Sequence, residues 1–191
     1  KTISIQDFSA NSVYENPKEM MKEAYKRTQA TGSSTAIVCH LDDFTLRVAN
    51  LGDSGYMVVR FNAHGPYLVS RSKEMQHEFN VPFQLCNLPT WENVRQLFAE
   101  GKVQEAEKLS TLLKNGTISN DYPEDAVNYD LETQEGDLLI MGSDGLFDNL
   151  FTYEIINIIK TIDYDDKSTE NAARLTDAIV SEAYYKSKTN K

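Results

Sequence analysis

Cysteine is scarce in this sequence: Cys39 and Cys86 are the only two among 191 residues, and no Cys-x-x-Cys spacing occurs. That excludes a disulfide framework and points to a reducing compartment. Cys39 lies in an apolar run and reads as a small core residue. No apolar run approaches the roughly 20 residues of a membrane-spanning helix. No signal or transit pattern is visible at Lys1. Clusters of positive charge are missing as well. The longest basic group is Lys186-Ser187-Lys188, and the net charge is −10. Nucleic-acid backbones need clustered Lys and Arg, so nucleic acid is excluded as the main partner. The three histidines, His40, His64 and His77, show no metal-ligand spacing.

What remains is an ordinary globular composition, 40% hydrophobic and 25% charged. The length fits one domain over residues 1–191 with a substantial core. Ile3 and Ile5 alternate as in a strand already under way. Asn16-Pro17 marks a helix start, and Met20, Met21, Ala24 and Tyr25 continue it to about Ala30. Three strands are expected at 35–40, 45–50 and 55–60, and a fourth at 67–71, in an antiparallel meander. Arg47, Ala49 and Asn50 read as one face with polar work. The stretch 72–89 reads as irregular. A helix begins near Trp91 with Thr90 as its cap, breaks at Gly101, and resumes to a turn at Asn115-Gly116. Short strands follow at 129–133 and 138–141. Thr152 is expected to cap a helix of isoleucines. After a solvated linker, Asp163 to Lys167, Ser168 or Thr169 caps a last helix. Its buried side is Ala172, Ala173, Leu175, Ile179, Val180 and Ala183.

The stretch Asp137 to Leu150 organises the chain. A buried strand breaks at Gly142 and presents two carboxylates, Asp144 and Asp148, around Gly145. Carboxylates fixed just beyond a core strand suit a hard cation such as Mg²⁺ or Mn²⁺. The alternative is a pair of loop aspartates, one of them capping the following helix. The segment also resembles the last acidic motif of haloacid-dehalogenase-like phosphatases, but no Asp-x-Asp follows an earlier strand. Gly52-Asp53-Ser54-Gly55 is good turn chemistry, with Asp53 at a strand end. It matches the nucleophile segment of trypsin-like proteases in isolation. His40, only 14 residues before Ser54, leaves no room for that two-barrel architecture. Gly32-Ser33-Ser34-Thr35-Ala36 is too short for a Gly-x-x-x-x-Gly-Lys phosphate loop.

Three segments in this order resemble the PP2C (PPM) family of metal-dependent protein Ser/Thr phosphatases. They are Gly32 to Ala36, Ala49-Asn50-Leu51-Gly52-Asp53-Ser54-Gly55, and Gly142 to Asn149. Gln76-His77-Glu78-Phe79-Asn80-Val81-Pro82-Phe83-Gln84-Leu85 is similar to a string of the mitochondrial PTC7-like branch. The resemblance implies an α+β fold, a PP2C-like sandwich of two antiparallel β-sheets flanked by α-helices. It implies Mg²⁺ or Mn²⁺ as cofactor, with Asp144 a ligand of a binuclear centre. By the same resemblance, Asp53 and Asp148 together with Asp144 match the positions of a weaker third metal site in some members. The implied reaction is hydrolysis of phosphoserine or phosphothreonine in a protein substrate by a metal-activated water, and the implied location is mitochondrial. The family's upstream Asp-Gly-x-Gly-Gly motif, its late Asp-Asp/Asn-x-Thr-Val strand and its upstream phosphate-contacting Arg have no counterpart here. The expectation is therefore a partial domain, a fragment of a longer enzyme. The competing expectation is an inactive PP2C-fold remnant that binds partners.

Overall fold

Asn16 opens the first helix as its sequence dictates. Its Oδ1 accepts hydrogen bonds from the backbone N–H groups of Lys18 and Glu19, at 3.0 and 3.4 Å, and Pro17 needs no partner for a missing N–H. The helix, α1, is Pro17–Arg27 and ends three residues short of Ala30. The computed structural model describes residues 15–115, 121–162, 166 and 168–189. The alternation at Ile3 and Ile5, the turn at Gly116 and linker positions 163–165 and 167 lie outside the described residues.

Five strands and a hairpin flap come next: β1 Gly32–Ser34, β2 Ala36–Asp42, β3 Thr45–Leu51, β4 Gly55–Asn62, β5 Gly65–Arg71, then β6 Gln76–Glu78 and β7 Val81–Pro82. β8 is Leu85–Asn87, α2 Trp91–Ala99, α3 Val103–Asn115, β9 Val127–Glu132 and β10 Leu138–Gly142. The short α4, Asp144–Phe147, leads to α5, Thr152–Ile159, and α6, Thr169–Thr189.

The strands do not form one meander. β2, β3 and β9 make one antiparallel sheet in the order β2-β3-β9, and β10, β4 and β5 make another in the order β10-β4-β5. The chain changes sheets between β3 and β4. Both strands are apolar on both faces, so each face needs its own cover. Leu46 and Val48 of β3 pack against Tyr56 and Val58 of β4, which is the core between the sheets. Ala49 and Leu51, on the opposite face of β3, pack with Met21 of α1. Met57 and Val59, on the opposite face of β4, pack with Leu150, Ile155 and Ile159, and with Leu175, Ile179 and Ala183 of α6. The layers run helix, sheet, sheet, helix.

Several local expectations are corrected. Arg47 and Ala49 share one face of β3, while Asn50 points with Leu46 and Val48 toward the other sheet, because strand side chains alternate. Residues 72–89 contain β6, β7 and β8, strands of two or three residues that are too short to show a period. β8 pairs with β1. His40 lies inside β2 and does not end it. Thr152 is the first residue of α5, not its cap; its hydroxyl accepts from Arg71 Nη1 at 2.7 Å. On α6 the buried stripe is Asn171, Leu175, Ile179 and Ala183, a strict i, i+4 row, while Ala172, Ala173 and Val180 are exposed. Asn171 is buried because Ser168 Oγ accepts its backbone N–H and its Nδ2 donates to the Asp166 carbonyl. Cys39 packs half-buried against the core between the sheets, and burial pushes its thiol up to about 11.

One ion pair ties the second sheet together. Arg60 of β4 donates from Nε and Nη2 to the two carboxylate oxygens of Asp137, both at 2.8 Å. Asp137 is almost fully buried and also accepts from Gln134 N at 2.9 Å. The Arg60 hydrogen bond holds its carboxyl below the usual range. A depressed carboxyl contributes stability above its unfolded pKa and loses it as pH falls through the folded one. Asp137→Asn is expected to cost about 2 kcal/mol at pH 7. In urea titrations the gap to wild type should close as pH drops below the ordinary aspartate range. A gap independent of pH would assign the loss to packing.

Candidate metal centre

The candidate site is assembled by strand register. β10 runs antiparallel to β4, and its last residue, Gly142, lies opposite Gly55, the first residue of β4. The turn before β4 therefore meets the turn after β10. The first turn carries Asp53 and the second carries Asp144. This edge is crowded enough to require glycine. A Cβ on Gly142 would sit 2.7 Å from Leu146 Cδ2, and one on Gly55 would sit 2.4 Å from Ser72 Oγ. Gly52 has φ +100, and its Cβ would sit 2.5 Å from Thr35 Cγ2 and 2.6 Å from the Phe83 carbonyl oxygen. Thr35 Oγ1 and Ser54 Oγ are hydrogen-bonded at 2.7 Å. The three segments singled out in the sequence meet here.

Asp144 begins α4 and is exposed; its Oδ1 accepts from Gly145 N at 2.7 Å. Asp148 follows α4, also exposed, and Phe147 between them is buried. Phe147 is held from two sides. Its ring lies against Gly55, and the Arg71 guanidinium covers it at 4.7 Å from the centroid. Arg71 is itself fixed by its bond to Thr152. Partial burial pushes the Asp148 carboxyl up, and so do the charges of Glu74, Asp144 and Asp53. Four carboxylates therefore share one field. Glu74 had no sequence signal of its own; it arrives because Met75 N donates to the Gly52 carbonyl at 3.0 Å.

These are hard oxygen donors, and their mutual repulsion is what a divalent cation relieves. Even so, among the described residues no three Asp, Glu, His or Cys side chains stand close enough to hold a metal ion. The donor chemistry fits Mg²⁺ or Mn²⁺, but as one wall of a site. Behind it, Asn50 is completely buried, and neither its Oδ1 nor its Nδ2 has a hydrogen-bond partner among the described residues. It lies on the inter-sheet face, three residues before Asp53.

A second polar cluster lies under the β6–β7 flap. His77 Nε2 sits 2.9 and 3.0 Å from the two oxygens of Asp121, which is 5% exposed. Asp121 also accepts from Gln84 N at 2.8 Å, and the His77 ring stacks on Phe83 at 3.8 Å. His77 carries this contact although its spacing in sequence shows nothing.

No family model matches the chain. It is 38% identical over 133 residues to a human protein named protein phosphatase PTC7 homolog, covering 69% of this chain and 35% of that protein. It is 36% identical over 154 residues to the PTC7 homolog fig of Drosophila grimshawi, covering 77% of this chain and 42% of that protein. It is 34% identical over 167 residues to the PTC7 homolog of Danio rerio, covering 83% of this chain and 48% of that protein. The chain thus spans less than half the length of these relatives. Among solved structures, the photosystem II phosphatase PBCP superposes with a TM-score of 0.64 at 24% identity, covering 90% of this chain and 52% of that one. That likeness establishes a shared fold.

Proposed function

The chain belongs to the PP2C family of protein phosphatases, in its PTC7-like branch, and from that premise we propose that it is the middle of a metal-dependent protein Ser/Thr phosphatase domain. The observation that carries the reading is the register of Gly142 opposite Gly55, which brings the turn bearing Asp53 against the turn bearing Asp144 and Asp148. Asp144 is the proposed ligand of the principal centre, and Asp53 and Asp148 are proposed as contributors, with it, to a weaker site that needs further donors. Mg²⁺ or Mn²⁺, when bound, lowers the pKa of water and offsets phosphate charge. The chain's own part is to hold the carboxylates. Gly145 N fixes one oxygen of Asp144, and the packing of Phe147 between Gly55 and Arg71 fixes the turn that carries Asp144 and Asp148. Without a cation, the same carboxylates would repel a phosphate dianion.

The incomplete-domain reading has support in the sheets. Leu139 and Met141 of β10 lie opposite Val58 and Tyr56, on the face turned toward the other sheet. They nonetheless stay 39% and 44% exposed. Leu41 at the far end of β2 is 61% exposed. An apolar inner face left open on two strands is the shape of a sandwich whose remaining strands come from elsewhere in the parent protein. The substrate is a phosphorylated protein. A mitochondrial location is proposed on the branch resemblance and is checked by fractionation. No helix among the described residues is long and apolar enough to cross a membrane.

The test uses two proteins. The parent, supplied with Mn²⁺, is expected to hydrolyse p-nitrophenyl phosphate and phosphothreonine peptides, and chelation should abolish both activities. The 191-residue chain alone is expected to hydrolyse neither. Metal-independent turnover by the parent would overturn the function. Clear turnover by the chain alone would overturn the partial-domain reading.

A further inference from the structure

The flap between β5 and β8 exposes an aromatic ring that the fold does not use. Phe79, at the β6–β7 tip, is 96% exposed, and Val81 beside it is 46% exposed. A bare phenylalanine at a loop tip is ordinary when the loop is loose. Here the loop is held at every level. Asn80 takes φ +59, and its N–H donates to Gln76 Oε1 at 3.2 Å. Phe83 N donates to the Met75 carbonyl at 3.0 Å. Below them, His77 and Gln84 N grip the buried Asp121 carboxylate from both arms, and His77 stacks on Phe83. A loop whose backbone is already held loses little backbone freedom when its exposed side chain binds.

The flap is also tied to the carboxylates. Met75 N donates to the carbonyl of Gly52, the neighbour of Asp53. Four residues extend at most about 14 Å, so the tip lies within about 17 Å of that carbonyl. An extended peptide advances about 3.3 Å per residue. A segment about five residues long therefore spans from the Gly52 carbonyl, beside Asp53, to the tip. The charge around the tip selects what arrives. Glu78 adjoins the tip, Glu74 lies at the base of the flap next to Lys73, and no Lys or Arg occurs from Glu74 to Asn87. An acidic segment would be repelled there.

We propose that Phe79, carried on this held loop, is a specificity-determining residue that meets an apolar side chain within about five residues of the phosphorylated one, in a substrate segment that is otherwise basic. The inference rests on the phosphatase reading above. Phe79 touches no reacting atom, so its effect belongs in substrate selection.

The experiment compares the wild-type parent with Phe79→Ser and Phe79→Leu in Mn²⁺. The substrates are p-nitrophenyl phosphate and two basic phosphothreonine peptide series, one scanning Leu and one scanning Ala through the five positions on each side. Wild type should prefer Leu at one or two positions. Phe79→Ser should lose about tenfold in kcat/KM on those peptides and nothing on the Ala peptides or p-nitrophenyl phosphate. Phe79→Leu should retain most of the preference. Thermal melts of both variants should match wild type, since the ring is exposed. Equal losses on every substrate, or a wild type that handles Leu and Ala peptides alike, would overturn the proposal. A wild-type parent that hydrolyses nothing with either Mg²⁺ or Mn²⁺ instead defeats the phosphatase reading, and this inference with it.

Discussion

Asp144→Asn in the parent protein is expected to lower kcat by about a thousandfold or more, with a matching loss of Mn²⁺ affinity. Removing a charged ligand from a divalent centre forfeits several kcal/mol of transition-state stabilisation, and each 1.36 kcal/mol is about tenfold in rate. The fold should not notice. Asp144 is exposed, and asparagine keeps the oxygen that accepts from Gly145 N. The melting temperature of the metal-free protein should therefore stay level while calorimetric Mn²⁺ binding weakens. That split separates a ligand from a structural aspartate. Unchanged turnover with unchanged metal affinity would remove Asp144 from the site. Asp148→Asn belongs in the same series. Partial burial, and then the charges of Glu74, Asp144 and Asp53, push its carboxyl up, so its removal should ease the metal-free protein at neutral pH while costing less activity than loss of Asp144.

Gly52→Ala is expected to destabilise the chain by about 3 to 5 kcal/mol. Two costs add. The backbone at φ +100 strains any side chain, at about 1–3 kcal/mol. The new methyl would also stand 2.5 Å from Thr35 Cγ2 and 2.6 Å from the Phe83 carbonyl oxygen. That carbonyl belongs to backbone held by Phe83 N to Met75 O, and Met75 in turn bonds Gly52. None of the three can yield alone, so overpacking contributes a similar amount. Gly101→Ala is the control. It has φ +76 but nothing within 4 Å of its Cβ, and it should cost about 1 kcal/mol. Equilibrium urea denaturation of both variants checks the difference. Equal losses would mean that the contacts around Gly52 are soft.

Local signals were legible wherever one residue type acts on its own neighbours. Asn16-Pro17 started α1, Gly101 broke the helical run, and the apolar run 138–141 was a strand. Asp53 and Asp144 were visible as carboxylates at strand ends, and Asp148 as a third one turn further on. What stayed hidden depended on partners far away. The change of sheet between β3 and β4 follows from both faces of each strand needing cover, and a turn motif does not reveal that. Glu74 reads as one more exposed acid until Met75 is seen bonded to Gly52. His77 and Asp121 lie 44 positions apart in sequence and meet under the flap. Asn171 holds a place in the α6 stripe because the turn before it satisfies its amide, which a hydrophobic period cannot report.

The pairing of Gly142 with Gly55 also sets the order in which the molecule can acquire its chemistry. Asp53 and Asp144 stand about ninety residues apart along the chain. Their approach is a long loop closure, paid for before any contact returns it. A slip of β10 by one residue would turn Ile140 away from the helices and shift Asp144 by about 3.3 Å. A cation at the proposed site would therefore bind only chains whose β10 has found the right partner. Metal uptake at that site during refolding would then be a clock for that one strand.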